Sequence, residues 1–293
     1  MEPLTFKNAG SIFKFSFQES GRENFTTEET IIISDWDDTL NISHVLSGKY
    51  AAFSIISEES PQIPKDLQDI FDIVAKAAKE FLTEAVKYGR VLIVTNASEG
   101  WVELCCKRFM PSIYALVTSF TIISAREYYE SQTSSPHKWK QYVFRDIVLG
   151  HFSRTSDKQK NVISIGDGTA EQYAMRSLRA SCYEATNINL ITTKTIRLMG
   201  MVNAEIMARQ LKYVIDSLDK IVHYKLSIDV DVCFDIFTRF SSMPRISNEF
   251  RLVDPADVKK EEDHEEKLCE MGIDILCECK KCIYQIQKTM RYS

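Results

Sequence analysis

The sequence predicts an α/β fold built on a doubly wound parallel sheet. Short apolar runs alternate along the chain with amphipathic segments of helical period, which is the pattern of strands joined by crossover helices. The runs are continuously apolar, as is typical of strands covered on both faces. Four of them also end on a polar side chain that can take part in chemistry, and these end residues are Asp35, Thr95, Ser124 and Asp167.

The predicted core spans residues 28–224 and holds six strands, at 31–34, 90–94, 121–124, 161–165, 181–183 and 193–198. Amphipathic patterns predict helices from 65 to a stop at Gly89, over 98–109, from 137 through 147, and over a closing segment that ends near Tyr224. Residues 1–27 read as an N-terminal extension with an edge strand at 12–17. Residues 225–293 read as a mainly helical C-terminal extension with a charged linker at 259–267.

Composition favours a folded protein without a membrane or nucleic-acid surface. The 293 residues are 44% hydrophobic, which is ample for a core, and the net charge of −5 gives no general attraction for nucleic acid or anionic lipid. No apolar run reaches the length of a membrane span, and the amino end lacks a signal layout. We expect a cytoplasmic protein, or one that enters the nucleus by diffusion. The sequence does not determine the oligomeric state. The eight cysteines are expected to be reduced.

Three carboxylates, Asp35, Asp37 and Asp38, lie within four positions directly after the first core strand. Like charges this close raise one another's pKa and are costly unless a cation joins them. The cluster therefore indicates a metal site, a proton-transfer task, or both, and the alternative is a solvated surface turn. In open α/β sheets, ligands bind at the carboxyl ends of the strands, which is where these acids lie.

Four short motifs follow the predicted strands in order. They are Asp-Trp-Asp-Asp-Thr at 35–39, Thr95, Lys140, and Gly-Asp-Gly-Thr-Ala-Glu at 166–171. Together they resemble the four motifs of phosphatases of the haloacid dehalogenase superfamily, over about residues 28–224. The sequence around Thr95, Arg126 and Lys140 also resembles that of a little-characterised branch of the superfamily from microbial eukaryotes. This resemblance implies nothing about the substrate.

The resemblance implies a role for each matched residue. Asp35 would be the nucleophile that forms an aspartyl-phosphate, and Asp37 would protonate the leaving alcohol and later deprotonate water. Thr95 and the amide of Asn96 would hold the phosphoryl oxygens, while Lys140 would neutralise the phosphate.

The resemblance also implies a metal site. Mg²⁺ would be bound by Asp35, the backbone carbonyl of Asp37, and Asp167, with Glu171 reaching a bound water. Oxygen ligands of this kind suit Mg²⁺ better than Zn²⁺.

Two assignments keep an alternative. Lys138 competes with Lys140, since both flank Trp139, and the family pattern favours the lysine that directly follows the tryptophan. Arg126 would help to bind phosphate or substrate, or else form a surface salt bridge.

The spacing of the motifs leaves no room for a full cap domain, either between Leu40 and Val94 or between Asn96 and Lys138. In the resembled family such caps enclose small metabolites. An open site implies a bulky substrate such as a phosphoprotein, or a cover from another chain or from the carboxyl tail.

The tail holds a second candidate site, formed by Cys277, Cys279 and Cys282 with Cys269 and His264 nearby. The side chains of these residues would be enough to supply the four ligands of a tetrahedral Zn²⁺. They also fit the buried face of an amphipathic helix, because a reduced cysteine packs as a small hydrophobe.

The sequence thus predicts a Mg²⁺-dependent phosphatase acting on a phosphorylated small molecule or protein. Two alternatives remain. One is a binding or regulatory protein that keeps the scaffold without turnover, and intact Asp37 argues against it. The other is a phosphotransferase that passes the phosphoryl group to an acceptor other than water.

Overall fold

The structure is a computed structural model that describes residues 22–53, 61–152, 159–186, 191–234 and 244–246. In this part of the chain, six parallel strands form one sheet with helices on both faces. The architecture is α/β and compatible with a Rossmann-like fold, so the predicted parallel sheet is confirmed.

The strands are β1 Thr30–Ser34, β2 Arg90–Thr95, β3 Thr121–Ser124, β4 Lys160–Gly166, β5 Ile191–Arg197, β6 Ile228–Phe234 and the short β7 Pro244–Ile246. Their order across the sheet is β3-β2-β1-β4-β5-β6-β7. Neighbouring strands run parallel except for β7, which pairs antiparallel with β6. The strand order reverses direction between β1 and β4, and a crevice at such a point is where open α/β sheets bind ligands.

The helices connect these strands. They are α1 Lys65–Ala85, α2 Trp101–Phe109, α3 Tyr114–Val117, α4 Ala125–Tyr129, α5 Pro136–Phe152, α6 Thr169–Thr186 and α7 Ala204–His223. Between β1 and α1 the described residues form two 3-10 turns, Ser43–Leu46 and Gly48–Phe53.

Strand β1 lies between two hydrophobic layers. Ile32 points to the layer formed with α1 and α7, whereas Ile31 and Ile33 point to the layer formed with α5 and α6. All three side chains are at most 1% exposed. Because successive side chains of a strand face opposite sides of the sheet, a run of isoleucines fits a strand that is covered on both faces.

Helix α1 follows the sequence pattern closely. Its buried side chains recur every three or four residues, as expected of a helix with one face in the core. They are Leu67, Phe71, Val74, Ala75, Ala77, Ala78, Phe81, Leu82 and Ala85. The helix predicted from residue 65 is therefore confirmed, and its regular part ends four residues before Gly89.

The strand predicted at 181–183 is wrong, because these residues belong to α6. Three residues are too few to distinguish a strand from the last turns of a helix by periodicity. The fifth strand is instead β5, which matches the prediction for 193–198. Strand β6 then extends the sheet beyond the predicted core boundary at Tyr224, in a stretch whose sequence gave no clear pattern.

Several predicted features lie outside the described residues, namely the edge strand at 12–17, the charged linker at 259–267 and the cysteines of the carboxyl tail. Of the cysteines whose side chains the structure describes, Cys105 and Cys106 are buried and carry free thiols, as expected. None of the helices in the described part of the chain is both long and apolar enough to cross a bilayer.

Lys194 on β5 is a fully buried lysine that sits away from the strand ends. Its Nζ donates to the carbonyl of Val222 at 2.6 Å, and the ring of Phe25 lies 4.8 Å away. The aromatic ring favours the ammonium, but burial favours the neutral amine and lowers the pKa of Lys194 to about 6.

Replacing Lys194 by Met is expected to raise the unfolding free energy at pH 7. Between pH 6 and 10.5 the unfolded chain binds a proton at this lysine that the folded protein does not, so the stability of the unaltered protein falls as the pH is lowered. Methionine removes that loss. Urea unfolding across this range should show the advantage of Lys194→Met shrinking as the pH rises, whereas a constant difference would mean that Lys194 is charged when folded.

Candidate functional site

The carboxyl ends of β1, β2 and β4 meet at one level of the sheet. Ser34, the last residue of β1, is paired with Ile93 on one side and with Ile165 on the other. Asp35 follows Ser34 directly, and its amide donates to the carbonyl of Ile165 at 2.9 Å. Thr95 lies two residues beyond Ile93. This register brings together residues that are far apart in the sequence.

A cavity of about 260 Å³ opens at this edge of the sheet. Seven of the eight predicted site residues line it, together with a few neighbours in the same loops. The predicted residues among the lining are Asp35, Asp37, Thr95, Asn96, Lys140, Asp167 and Glu171. Arg126 is not among the lining residues; its guanidinium pairs with Glu130 at 2.8 Å and lies over the ring of Trp139.

Lys140 is the cation of the site. Its Nζ donates to Oδ1 of Asp35 at 2.6 Å and also to Oε1 of Glu171, and all three side chains are buried. Burial alone would lower the pKa of Lys140, but the two carboxylates raise it above its ordinary value, so the ammonium stays charged. The rival lysine, Lys138, is half-buried and does not line the cavity.

Asp37 is held through both of its carboxylate oxygens. The hydroxyl of Thr95 donates to Oδ2 at 3.3 Å, and the indole N–H of Trp101 donates to Oδ1 at 3.0 Å. The Thr95 hydroxyl itself accepts from the amide of Ala97 at 2.9 Å. The sequence offered no signal for the contact with Trp101, which joins the first loop to the start of α2.

Asp38 has a different role from the other acids. Its backbone is left-handed, with φ of 53°, and its Oδ1 accepts from the amide of His44 at 3.2 Å and bonds to Nδ1 of the same histidine at 2.7 Å. Aspartate tolerates this conformation better than most residues because its short side chain bonds to nearby backbone. Asp38 thus holds the loop after β1 in shape.

Asn96 connects β2 to the helix that carries Lys140. Its Nδ2 donates to the carbonyl of Pro136, the first residue of α5, at 3.2 Å. This bond ties the end of β2 to the start of α5. Lys140 lies one helical turn further along that helix, so Asn96 also helps to place the lysine.

The loop after β5 supports Asp167 from one side. A Cβ atom on Gly200 would lie 2.5 Å from Oδ2 of Asp167, closer than such atoms can approach. Glycine at this position lets the loop pass next to the carboxylate. Sequence inspection missed Gly200, since nothing near it forms a motif.

The site carries an excess of negative charge. Five carboxylates and one ammonium line the cavity. Burial raises the pKa of Asp35 well above its usual range, with the Lys140 ammonium opposing the shift. Burial, followed by the charges of Asp35, Glu171 and Asp38, raises the pKa of Asp167 even with that ammonium present. One lysine therefore does not balance the cluster.

No family model, curated protein or solved structure matches the chain. The resemblance of the strand-end motifs therefore stays a prediction, and any function has to be inferred from the residues around the cavity.

The donor set fits a hard divalent cation in chemistry and charge. The available ligands are carboxylate oxygens, and Oε2 of Glu171 is buried without a hydrogen-bond partner among the described residues. The described residues do not form a ready-made cage for such an ion, because no group of three or more His, Cys, Asp or Glu side chains among them is already placed to hold a metal. Instead, the Lys140 ammonium lies between Asp35 and Glu171.

Replacing Asp167 by Asn is expected to stabilise the metal-free protein at pH 8 and to have little effect at pH 4. The folded-state pKa of Asp167 is raised above 3.8, so the folded protein holds a proton that the unfolded chain has already lost, and stability falls as the pH rises. Asparagine removes this loss because it carries no charge.

Thermal unfolding in the presence of a chelator, from pH 4 to pH 8, measures the effect. The matched control is Asp216→Asn, which removes an exposed acid paired with Lys212 on the surface of α7. A gain from Asp167→Asn that does not grow with pH, or that Asp216→Asn reproduces, would show that Asp167 is not under electrostatic strain.

Proposed function

We propose that the protein is a Mg²⁺-dependent phosphatase that hydrolyses a phosphate monoester through an aspartyl-phosphate at Asp35. The observation that carries the proposal is the buried bond of 2.6 Å between Nζ of Lys140 and Oδ1 of Asp35, which line the same cavity as Thr95 and the other acids. A lysine in this position holds the carboxylate in place and offers positive charge to an incoming phosphate.

The first chemical step forms the covalent intermediate. A carboxylate oxygen of Asp35 attacks phosphorus, and the bond from phosphorus to the ester oxygen breaks. The ester oxygen keeps the bonding electrons and takes a proton from Asp37, so that a neutral alcohol leaves. Thr95, whose hydroxyl lies at the cavity wall, donates to a phosphoryl oxygen during the transfer.

The second step clears the intermediate. Asp37 accepts a proton from a water molecule as the water oxygen attacks phosphorus, and the bond from phosphorus to Asp35 breaks. Asp35 returns to its carboxylate form and inorganic phosphate leaves. The same side chain acts as acid and then as base, so one proton returns to Asp37 in each cycle.

Mg²⁺ completes the proposal because the cavity lacks positive charge for a dianionic substrate. Asp35, Asp167 and the backbone carbonyl of Asp37 are the groups that would hold it, with Glu171 reaching a bound water. When bound, the ion would cancel charge between the phosphate and the carboxylates. Lys140 would still help to neutralise Asp35.

The size of the cavity favours a substrate that inserts only its phosphoryl group. About 260 Å³ lies at or below the lower end of the range for pockets that enclose a whole small molecule, roughly 300 to 1,000 Å³. The remainder of the substrate would lie outside the cavity. A phosphorylated protein or another bulky monoester fits this arrangement. We expect the enzyme to act on such substrates in the cytoplasm.

Asp35→Asn is expected to abolish turnover, because an amide cannot form the acyl phosphate. Hydrolysis of 4-nitrophenyl phosphate with Mg²⁺ should fall on the order of 10⁴-fold or more. If the variant keeps wild-type turnover, the mechanism is wrong. If the unaltered protein releases no phosphate from a broad panel of phosphorylated substrates, with or without Mg²⁺, the binding or regulatory alternative is favoured.

Lys140→Met should remove most of the activity, whereas Lys138→Met on the same helix should keep it. Lys140 donates to Asp35 and lines the cavity, whereas Lys138 is not among the lining residues, so the pair separates a local charge effect from a general effect on α5. Steady-state rates with 4-nitrophenyl phosphate and Mg²⁺ measure both variants. Equal losses, or a greater loss in Lys138→Met, would contradict the assignment of Lys140.

A further inference from the structure

The indole of Trp101 contacts one oxygen of Asp37, and the other oxygen meets the hydroxyl of Thr95, a residue that lines the cavity. Its N–H donates to Oδ1 at 3.0 Å, while Oδ2 faces the hydroxyl of Thr95 at 3.3 Å. An indole N–H can only donate, and it neither gives up nor takes a proton at ordinary pH. A hydroxyl can donate or accept. The two contacts on Asp37 are therefore not equivalent.

This difference decides where Asp37 carries its proton. A proton on Oδ1 would point at the N–H of Trp101, and two donors facing each other repel. A proton on Oδ2 meets the Thr95 hydroxyl, which can accept from it or turn towards another group. The protonated carboxyl group is thus held with its O–H on Oδ2, on the side of Thr95.

The position of Trp101 is fixed by the backbone that precedes it. Gly100 has a left-handed φ of 79°, a conformation that glycine adopts without strain, and Trp101 is the first residue of α2. The ring of Trp101 packs against the hydrophobic layer that includes α1 and α7. An indole that is packed on one side and bonded through its N–H has little freedom to move, so it can hold the Asp37 carboxylate in one orientation.

We propose that Trp101 is a positioning residue that aims Oδ2 of Asp37 at the leaving-group oxygen. This inference rests on the proposed function, because it gives Asp37 the acid role described above. Trp101 exchanges no proton itself. It acts by binding Oδ1, so that the oxygen that transfers the proton is always the one beside Thr95.

The test is the response of the rate to the leaving group. Ring-substituted phenyl phosphates differ little in size, but their phenols differ in pKa, and a poorer leaving group depends more on proton donation. The value of kcat/KM for formation of the phospho-enzyme is measured across such a series for the unaltered protein and for Trp101→Phe. Phenylalanine keeps an aromatic ring at the packed position and removes the N–H together with the five-membered ring that carries it.

Trp101→Phe is expected to lose roughly 10- to 100-fold in kcat/KM with phenyl phosphate but less than about 3-fold with 4-nitrophenyl phosphate, because misaligned proton transfer harms the poor leaving group most. The slope of log kcat/KM against leaving-group pKa therefore becomes steeper. A merely structural role would lower all rates equally and leave the slope unchanged.

Two further variants sharpen the result. Trp139→Phe removes an indole N–H that donates to the carbonyl of Thr133 at 2.8 Å, and it should keep the wild-type slope. In an Asp37→Asn background, which has no proton to transfer, adding Trp101→Phe should not steepen the slope further. A steeper slope in Trp139→Phe, or an additive effect in the double variant, would overturn the inference.

The outcomes also separate the two proposals. An unaltered protein that releases no phosphate removes the proposed function, and the role of Trp101 with it. An active protein whose Trp101→Phe variant loses activity equally across the series keeps the proposed function and overturns the role of Trp101 alone.

Discussion

The buried ammonium of Lys140, bonded to Asp35 and Glu171, is the interaction on which the rest of the site depends. Without a cation, these buried carboxylates could not be ionised side by side at low cost. With one, the cavity still holds five carboxylates against a single ammonium, and burial together with the neighbouring acids raises the pKa of Asp167. Ionisable groups whose pKa values are shifted in this way are typical of sites that bind and transform charged groups.

The parallel sheet makes this cluster possible. Strands β1, β2 and β4 are neighbours, and their carboxyl ends lie at the same level. Loops that follow these strands therefore face one another even though more than a hundred residues separate Asp35 from Asp167. Helix α5 adds Lys140 from a face of the sheet, and α2 adds Trp101. The hydrophobic layers on both faces of the sheet hold these strands and helices in place. The polar residues at the edge of the sheet therefore keep their positions although they are not part of the hydrophobic core.

Sequence patterns predicted the parts of the fold that depend on hydrophobic period, and they failed where the period is short or weak. Helix α1 has a long buried stripe and was found, whereas the three residues at 181–183 were mistaken for a strand and β6 was missed. The strand-end residues that line the cavity were predicted as a group because each follows an apolar run. The contact between Trp101 and Asp37 depends on the tertiary arrangement of a loop and a helix, which no local pattern encodes.

The most direct test of the central claim is to trap the covalent intermediate. An acyl phosphate can be quenched in acid and reduced with borohydride, which converts a phosphorylated aspartate to homoserine. After incubation with 4-nitrophenyl phosphate and Mg²⁺, mass spectrometry of the peptides should find homoserine at position 35 and nowhere else. Phosphate release without this product, or with the product at Asp37 or Asp167, would contradict the assignment of Asp35 as the nucleophile.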